Sequence, residues 1–481
     1  MITALTGSQI RDAERPLLDR GLGPELMARA AHGLYRVLVA ELLRTRGRLY
    51  GARAAAVVGK GNNGGDALFA LAELAGRGVR TTAVLAAGTA HPAGLAAFVA
   101  AGGRVERALP PADVTIDAVL GTGGAGDFRP PFERPPGLVV ACDLPSGVDA
   151  DTGLASEHAW RADVTVTFGA LKTGLLAGRG RALAGRLEVV DIGLGPYLGQ
   201  PDQMPYLNRP DAFVLEESDV AALLPHPRDD WHKYTRGVLG VVAGSEQYQG
   251  AAVLTTAAAL ATGVGMVRYV GPPEVRRAVV GAHPEVVASG SPEGRVQAWA
   301  VGPGIADDAA QQRAFDVAVG SGLPVVIDAS GLERIPGPAL GGRAVLTPHA
   351  GELAGVLSRL GLPAERSDIE ASPVRWARIA AERLGVTVLL KGPATVCAAP
   401  DGTVCIQSTG HPYLATAGSG DTLTGVLGAL LATVPAARPV HLAAAAAVIH
   451  GLAGRIAAEA GPFGATELAG AVRRAVGHLS S

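Results

Sequence analysis

This chain of 481 residues has little cysteine, little net charge and no long hydrophobic run. Its three cysteines, Cys142, Cys397 and Cys405, are too few for a disulfide framework and lack metal-ligand spacing, which favours a reducing, cytoplasmic environment. A formal charge of −2 provides no basic field for nucleic acid or an anionic membrane. No run of about 18 apolar residues is present, and the apolar stretch 442–454 is expected to be a buried helix. We therefore predict neither a membrane nor a nucleic-acid partner.

Lysine and asparagine are also scarce, because arginine and alanine occupy nearly every generic surface position. The remaining residues of these two types are Lys60, Lys172, Lys233, Lys391, Asn62, Asn63 and Asn208. Most of them lie within glycine-punctuated motifs, which marks those motifs as candidate sites.

The length exceeds what one hydrophobic core usually supports, so we expect two domains. Residues 195–213 are rich in proline, glycine and polar side chains and have no periodicity, as is typical of a linker. We place the domains at residues 1–208 and 213–481.

Both halves alternate short apolar runs with helical stretches, a pattern that predicts parallel strands covered on both faces. Residues 8–47 are predicted to be helical. Predicted strand-and-turn units of the first half are 54–59, 81–87, 114–121, 137–147, 162–169 and 187–195. Those of the second half are 237–245, 266–271, 298–304, 323–331, 343–349 and 386–392. The fold class is therefore α/β.

The segment from Lys60 to Asp66, KGNNGGD, follows the first buried strand and opens a helix. Glycines there let backbone approach a ligand, and free N–H groups at a helix start favour an anion. The alternative interpretation is a polar turn with an asparagine cap.

Other strand ends of the first half should meet the same crevice, because open α/β sheets bind ligands beyond the carboxyl ends of their strands. Asn63, Asp117 and Ser146 could supply hard oxygen ligands to an alkali or alkaline-earth ion. Lys172 follows another strand and could act as acid, base or phosphate contact, or could simply be solvated.

The stretches GKGNNGGD, DAVLGTG, DLPSGVDADTG and TVTFGALKTGLL resemble the NAD(P)H-hydrate epimerase family, the YjeF N-terminal domain, over about residues 5–205. The resemblance implies a Rossmann-like three-layer αβα fold that interconverts the R and S epimers of hydrated NAD(P)H. It implies potassium at Asn63, Asp117 and Ser146, and we name Lys172 as a candidate catalytic residue. Substrate would bind Asn62, Asn63, Gly64, Gly65, Asp66, Gly121, Thr122, Gly123, Gly124, Ala125, Gly126, Asp127 and Asp143. Ala67 stands where the family usually has glycine.

In the second half, AGSGD (417–421) precedes an apolar helix, so its glycines and free N–H groups form an anion site at the positive helix end. Asp421 lies where a carboxylate could take a proton from a hydroxyl that attacks phosphorus. A plain acidic residue at a helix start is the alternative. Lys391 ends a buried run, and His349 and Gly304 also lie at strand ends, which together suggest a nucleotide site.

Six stretches, HKYTRG, VVAGSEQYQGAAVL, VGPG, TPHAGE, LLKGPAT and LATAGSGD, resemble the ADP/ATP-dependent NAD(P)H-hydrate dehydratase family, the ribokinase-like YjeF C-terminal domain, over about 213–478. The resemblance implies Mg²⁺ and a ribokinase-like αβα fold. The implied nucleotide contacts are Lys391, Gly392, Pro393, Ala394, Thr395 and Gly420. The implied contacts to hydrated NAD(P)H are Ala251, Gly304, His349 and Asp421, with Asp421 as catalytic base. Ser330 and His411 replace a usual aspartate and asparagine.

Two other functions fit the residues. A ribokinase-like site could phosphorylate a vitamin precursor or a sugar alcohol, with the first domain as a regulatory module. Alternatively, the first domain could only sense nucleotides. The resemblance implies a homo-oligomer, with a tetramer as the expected assembly, and leaves the choice between ADP and ATP open.

Overall fold

The computed structural model describes residues 1–124, 128–198, 210–226, 228–335 and 340–481. Two compact units divide the chain, Thr3–Asp211 and Ala212–Ser481, with Met1 and Ile2 grouped with the second. Within the predicted boundary at 208–213, residues 208 and 209, and with them Asn208, lie outside the described residues; the domain limits stay a prediction.

A parallel sheet forms the centre of the first unit, in the strand order β4-β3-β2-β5-β6-β7-β9. Its strands are β2 (Arg53–Val58), β3 (Arg80–Leu85), β4 (Arg104–Glu106), β5 (Val114–Ala118), β6 (Leu138–Cys142), β7 (Val164–Phe168) and β9 (Arg186–Val190). Two short strands, β1 (Ile2–Leu5) and β8 (Leu171–Lys172), pair separately. Chain order reverses between β2 and β5, which is where such sheets bind ligands.

The helices of the first unit are α1 (Gly7–Leu18), α2 (Gly23–Arg46), α3 (Asn62–Ala75), α4 (Pro92–Ala100) and α5 (Gly178–Ala184). The prediction of one helical region over 8–47 is wrong in detail. The chain turns at Gly21, whose φ of 78° is the left-handed conformation that glycine adopts without strain, and Pro24 then starts α2.

The second unit has the strand order β13-β12-β11-β14-β15-β16-β17-β18-β19-β10. These strands are β10 (Ala212–Val214), β11 (Val238–Val242), β12 (Met266–Val270), β13 (Val287–Ser289), β14 (Ala298–Val301), β15 (Val325–Ile327), β16 (Ala344–Leu346), β17 (Thr387–Leu390), β18 (Thr395–Ala398) and β19 (Val404–Gln407). The strands from β13 to β17 are parallel, and the order reverses between β11 and β14. Strand β18 runs antiparallel to both of its neighbours, β17 and β19, a feature that the run-and-turn pattern did not predict.

Helices on the second unit cover the sheet and build its core. They are α6 (Glu217–Leu223), α7 (Gln249–Thr262), α8 (Pro273–Ala282), α9 (Ala309–Gly320), α10 (Ala350–Arg359), α11 (Arg366–Ala371), α12 (Pro373–Leu384), α13 (Ser419–Thr433), α14 (Pro439–Ala458) and α15 (Ala465–Leu479). Within the described part of the chain, only α14 is long and apolar enough to cross a membrane, and 83% of its apolar window is buried in the unit. The expectation of a buried helix around 442–454 is confirmed.

Helix α13 approaches α7 closely because Gly425 has no side chain. A Cβ built there would lie 2.2 Å from the Thr255 carbonyl oxygen and 2.9 Å from the Ala258 Cβ. Since the first of these is a backbone atom, the contact cannot relax by a side-chain rotation. The glycine therefore sets the distance between the two helices.

We predict that Gly425→Ala destabilises the second unit by about 1–3 kcal/mol, because one helix must move away from the other. Gly470→Ala is the matched control, since Gly470 is exposed on α15 with nothing within 4 Å of its Cβ position. The control should stabilise the unit by about 0.4–1 kcal/mol. Urea unfolding followed by tryptophan fluorescence, to which the buried Trp299 contributes, measures both. Equal urea midpoints for the two variants would contradict the conclusion that Gly425 sets the distance between α13 and α7.

Candidate active sites

The first site begins where β2 ends and α3 starts. Gly61 is the N-cap of α3 and makes no side-chain capping hydrogen bond, so the asparagine-capped turn is not the arrangement seen. A Cβ at Gly64 would lie 2.2 Å from the Gly59 carbonyl oxygen, so glycine is required for this turn to close. The free N–H groups at the start of α3 face the carboxyl edge of the sheet, a favourable position for an anion.

Asp143, directly after β6, is the centre of a buried ion pair. Its Oδ1 accepts a hydrogen bond of 2.7 Å from Lys172 Nζ, and its Oδ2 accepts from the backbone N–H and the hydroxyl of Thr122. Burial alone would raise the pKa of Asp143, but the charge of Lys172 and these hydrogen bonds hold it below its usual value. Asp143 also adopts a φ of 66°, which aspartate tolerates better than most residues.

Lys172 is only 1% exposed, so the solvated alternative for this lysine is excluded. Its ammonium group also donates to Thr167 Oγ1 and to the Phe168 carbonyl oxygen, both at 2.9 Å. All three of its hydrogens therefore have acceptors. The structure places Lys172 as the partner that keeps Asp143 ionised.

Asp117, at the end of β5, accepts hydrogen bonds from the Ser146 hydroxyl at 2.5 Å and the Ser146 N–H at 2.8 Å. Burial raises the pKa of Asp117, and these hydrogen bonds oppose that increase. Two of the three predicted potassium ligands are thus brought together. The third, Asn63, is half-buried, and its amide Oδ1 and Nδ2 are buried atoms with no hydrogen-bond partner.

Gly121 shows how the strand ends converge. A Cβ there would lie 3.1 Å from Asp143 Oδ2 and 3.2 Å from Asn63 Cγ, so the three residues border one space. Asp66, one turn after Asn63 on α3, is buried, and its Oδ1 also has no hydrogen-bond partner. Predicted contacts Ala125, Gly126 and Asp127 lie outside the described residues. Ala67, the departure from the family pattern, packs in the core.

The second site is built at the start of α13. Gly418 is its N-cap with a φ of 85°, and a Cβ at Gly420 would lie 3.5 Å from Lys391 Nζ and 3.6 Å from Asp328 Oδ2. The helix start therefore lies against the Lys391–Asp328 pair, with Asp421 on the first turn. Burial and the nearby charge of Asp328 raise the pKa of Asp421 to about 6, against the opposing charge of Lys391.

Asp328, after β15, connects the parts of this site, and sequence reasoning missed it. Its Oδ1 accepts a hydrogen bond of 2.8 Å from Lys391 Nζ, and its Oδ2 accepts one of 2.8 Å from the Thr424 hydroxyl on α13. Burial would lower the pKa of Lys391, but Asp328 and Glu352 outweigh it and raise that pKa. An acidic residue at the end of a buried apolar run was the available signal.

His349 is the N-cap of α10. Its Nδ1 accepts hydrogen bonds from the N–H groups of Gly351 and Glu352, at 3.0 and 3.2 Å. The ring is 58% exposed at the side chain, and its backbone forms a bridge to Lys391. The backbone contacts thus hold His349 in a fixed orientation beside the lysine.

Gly304 lies against α7, where its Cβ position is 3.0 Å from the Ala251 Cβ, so these two predicted contacts are neighbours. Ser330, a departure from the family pattern, donates to the Gly302 carbonyl oxygen at 3.0 Å and links two strand-end loops. His411, the other departure, caps the short turn before Tyr413. Both replacements therefore make local structural contacts.

Two further titratable groups were missed because neither belongs to a glycine motif. Glu14 on α1 is half-buried, its pKa is raised by burial, and Asp143 and Lys172 act on it electrostatically. His450 on α14 is buried, contacts Ser419 of α13 through Nε2, and has its pKa lowered by burial to about 4. Lys60 and Lys233 are exposed and join neither ion pair.

Comparison with protein families finds two matches along the chain. Residues 239–472 match a family described as NAD(P)H-hydrate dehydratase. Residues 23–174 match one described as the YjeF-related protein N-terminus. Each match lies within one of the two units.

Several curated relatives are similar over most of their length. A protein of Mycobacterium tuberculosis, named bifunctional NAD(P)H-hydrate repair enzyme Nnr, is 45% identical over 445 residues, covering 88% of each chain. The protein of the same name from Mycobacterium leprae is 44% identical over 462 residues, covering 91% of this chain and 92% of that one.

Solved structures match the second unit. The Bacillus subtilis ADP/ATP-dependent NAD(P)H-hydrate dehydratase, co-crystallised with ATP and Mg²⁺, has a TM-score of 0.51 at 28% identity, covering 56% of this chain and 99% of that one. A ribokinase-like superfamily protein of Enterococcus faecalis has a TM-score of 0.51 at 22% identity, covering 58% of this chain and 99% of that one. The ribokinase-like fold is thereby confirmed.

We predict that Lys172→Met lowers the stability of the first unit by about 3–5 kcal/mol, because it leaves the Asp143 carboxylate buried and unpaired. The double variant Lys172→Met/Asp143→Asn should lose less, since no buried charge remains and asparagine tolerates the positive φ. Urea midpoints followed by tryptophan fluorescence, to which the buried Trp160 contributes, provide the comparison. A double variant less stable than the single one would contradict the ion-pair argument.

Proposed function

This chain belongs to the family of bifunctional NAD(P)H-hydrate repair enzymes, and we propose that its two units catalyse successive steps of that repair. The first unit interconverts the R and S epimers of hydrated NAD(P)H. The second dehydrates the S epimer to NAD(P)H and consumes ADP or ATP, releasing AMP or ADP and phosphate. The proposal rests chiefly on Asp421, a carboxyl group at the start of α13 beside the Lys391–Asp328 pair.

The dehydration needs a better leaving group than hydroxide. Asp421 removes the proton of the C6 hydroxyl as that oxygen attacks the terminal phosphate of the nucleotide and AMP or ADP leaves; the carboxyl then releases this proton to water. The phosphorylated oxygen then leaves as phosphate, driven by the ring nitrogen lone pair, and loss of a ring proton restores NAD(P)H. The N–H groups at the start of α13 and Lys391 stabilise the charge of the phosphoryl group in transfer.

The positions of several residues implied by family resemblance support this proposal. The loop from Lys391 to Thr395 connects β17 to β18 and carries the partly buried ammonium group that pairs with Asp328. Ala251 and Gly304 lie together, and His349 forms a backbone bridge to Lys391. We propose that the first group binds the nucleotide and the second group, with Asp421, binds hydrated NAD(P)H.

Magnesium would neutralise charge on the nucleotide phosphates, as phosphoryl transfer generally requires. Within the described part of the chain, no point is surrounded by three or more histidine, cysteine or acidic groups. The ion would therefore be held mostly by phosphate oxygens and water, as is usual for Mg²⁺.

For the first unit, we propose potassium at Asn63, Asp117 and Ser146. Asp117 and Ser146 supply adjacent carboxylate and hydroxyl oxygens, and the Asn63 carbonyl oxygen has no protein partner, so the donor set fits a hard cation. The remaining contacts to substrate come from the start of α3, the loop after β5, and Asp143. The potassium ion would orient these groups and screen charge near the substrate.

A cytoplasmic location and assembly into a homo-oligomer, a tetramer by family resemblance, complete the proposal. The three cysteines are free and buried, as in a reducing environment. A small-molecule kinase is the alternative for the second unit; it would accumulate a stable phosphorylated product instead of inorganic phosphate.

We predict that Asp421→Asn reduces nucleotide-dependent recovery of NADH absorbance by about 10²–10⁴-fold, the usual effect of losing a general base. Epimerisation by the first unit should continue at the rate of the unsubstituted chain. Glu459→Gln, at an exposed carboxyl after α14, is the matched control and should leave both activities unchanged. If the Asp421→Asn chain recovers NADH at a rate near that of the unsubstituted chain, Asp421 is not the base.

We also predict that kcat/KM of the dehydratase falls as pH drops through about 6, since Asp421 must be ionised to accept a proton. The decrease should approach tenfold per pH unit below that value. Asp328→Asn should move this acid limb to lower pH, because it removes a negative charge that raises the pKa of Asp421 and frees Lys391, which lowers it. Rates measured from pH 5 to 8 test this, and an acid limb that stays in place or moves upward contradicts it.

A further inference from the structure

Two carboxyl groups border the first site in opposite electrostatic environments. Asp143 is paired with the ammonium group of Lys172 at 2.7 Å, whereas Asp66 has no hydrogen-bond partner at Oδ1. Two carboxyl groups whose environments differ in this way are suited to act as an acid and a base in one reaction. The glycine motifs indicated binding at this edge and left the acid and base unassigned.

Asp143 is the ionised member of the pair. Its carboxylate receives hydrogen bonds from Lys172, Thr167 and Thr122, all of which stabilise the negative charge. The same contacts fix its orientation at the end of β6. It can therefore accept a proton from a substrate hydroxyl without first losing one.

Asp66 is the member whose surroundings favour the protonated form. It is 7% exposed, and the groups that act on it are the carboxyls of Asp143 and Glu14, both of which disfavour a second negative charge. Burial, with these two charges, raises the pKa of Asp66 well above its usual value. A protonated carboxyl with a buried, unpartnered oxygen needs a ligand to complete its hydrogen bonds.

Both groups border a space that also has an unpartnered amide. The Gly121 Cβ position is close to both the Asp143 carboxylate and the Asn63 side chain, and Asn63 precedes Asp66 by one helical turn on α3. Residues three apart lie on the same helix face. The Oδ1 and Nδ2 of Asn63 and the Oδ1 of Asp66 are buried without hydrogen-bond partners, and they lie on the helix face that meets the same edge of the sheet as Asp143.

We propose that Asp143 is the base and Asp66 the acid that epimerise hydrated NAD(P)H, an inference that rests on the proposed function of this unit. The substrate carbon C6 carries a hydroxyl and is bonded to the ring nitrogen N1, so it can open to an aldehyde. Asp143 takes the hydroxyl proton as the C6=O bond forms and the C6–N1 bond breaks. The electron pair of the C6–N1 bond goes to N1, which takes the proton of Asp66.

Rotation about C5–C6 then presents the other face of the aldehyde. Asp66 recovers the proton from N1 as the C6–N1 bond forms again, and Asp143 returns its proton to the oxygen. Atoms and electrons balance without an oxidant or another reactant, and no water needs to enter the site. Lys172 acts as a positioning residue, because its three hydrogens are held by Asp143, Thr167 and Phe168.

The test is Asp66→Asn in the full chain. Asparagine keeps the size and polarity but cannot transfer a proton, so kcat for epimerisation should fall by about 10²–10⁴-fold while KM changes only a few-fold. Thr81→Val is the matched control, since Thr81 also has a buried unpartnered oxygen but lies near the start of β3, at the opposite edge of the sheet. It should epimerise at the unsubstituted rate.

Dehydration of the S epimer by the second unit is an internal control for folding and concentration. An Asp66→Asn chain that epimerises within tenfold of the unsubstituted rate overturns the acid assignment. If the unsubstituted chain itself does not accelerate epimerisation, the proposed function of the unit fails, which is a different result from failure of the acid alone.

Oxygen labelling of the unsubstituted chain tests the chemistry without any substitution that could disturb folding. Epimerisation in H₂¹⁸O should leave the original oxygen on C6, because the C6–O bond is never broken. Incorporation of one labelled oxygen per turnover would overturn the ring-opening step and replace it with loss and return of hydroxide.

Discussion

A buried lysine–aspartate ion pair at the carboxyl edge of a parallel sheet is the interaction on which each unit depends. In the first unit Lys172 pairs with Asp143, and in the second Lys391 pairs with Asp328. Removing two charges from water is costly, and each pair tolerates it because further hydrogen bonds satisfy the carboxylate. Thr122 and Thr167 do so for Asp143, and Thr424 does so for Asp328.

The two pairs influence neighbouring carboxyl groups in the same manner. Burial, together with a negative charge held nearby, raises the pKa of Asp66 in one unit and of Asp421 in the other. Both carboxyl groups lie on the first turn or two of a helix whose N-cap is glycine, close to the free backbone N–H groups of the helix start. Each site thus combines an anion-binding helix start with a carboxyl group whose protonation is sensitive to its partner. A chain that handles anionic nucleotides therefore needs no large net positive charge.

Much of the fold was predictable because buried parallel strands are short apolar runs followed by glycine turns. The predicted runs around 54–59 and 114–121 correspond to β2 and β5, which flank the point where chain order reverses. The antiparallel pair β18 and β19 was not predicted, because a buried strand has a similar apolar content whether it runs parallel or antiparallel to its neighbour. The region 8–47, predicted to be helical, contains two helices, because Gly21 adopts a left-handed conformation between them.

The sequence by itself shows that lysine and asparagine are scarce. Their position in glycine motifs pointed to Asn63, Lys172 and Lys391 as site residues, because a polar residue placed at the end of a buried strand usually has a chemical role. It also determined the family, through stretches too specific to arise by composition. Only the tertiary structure decided how those residues pair. Asp328 and Lys391 are 63 positions apart, and Asp66 and Asp143 come from different strand ends. Charge and burial act through space, so the assignment of base, acid and positioning residue required the folded arrangement.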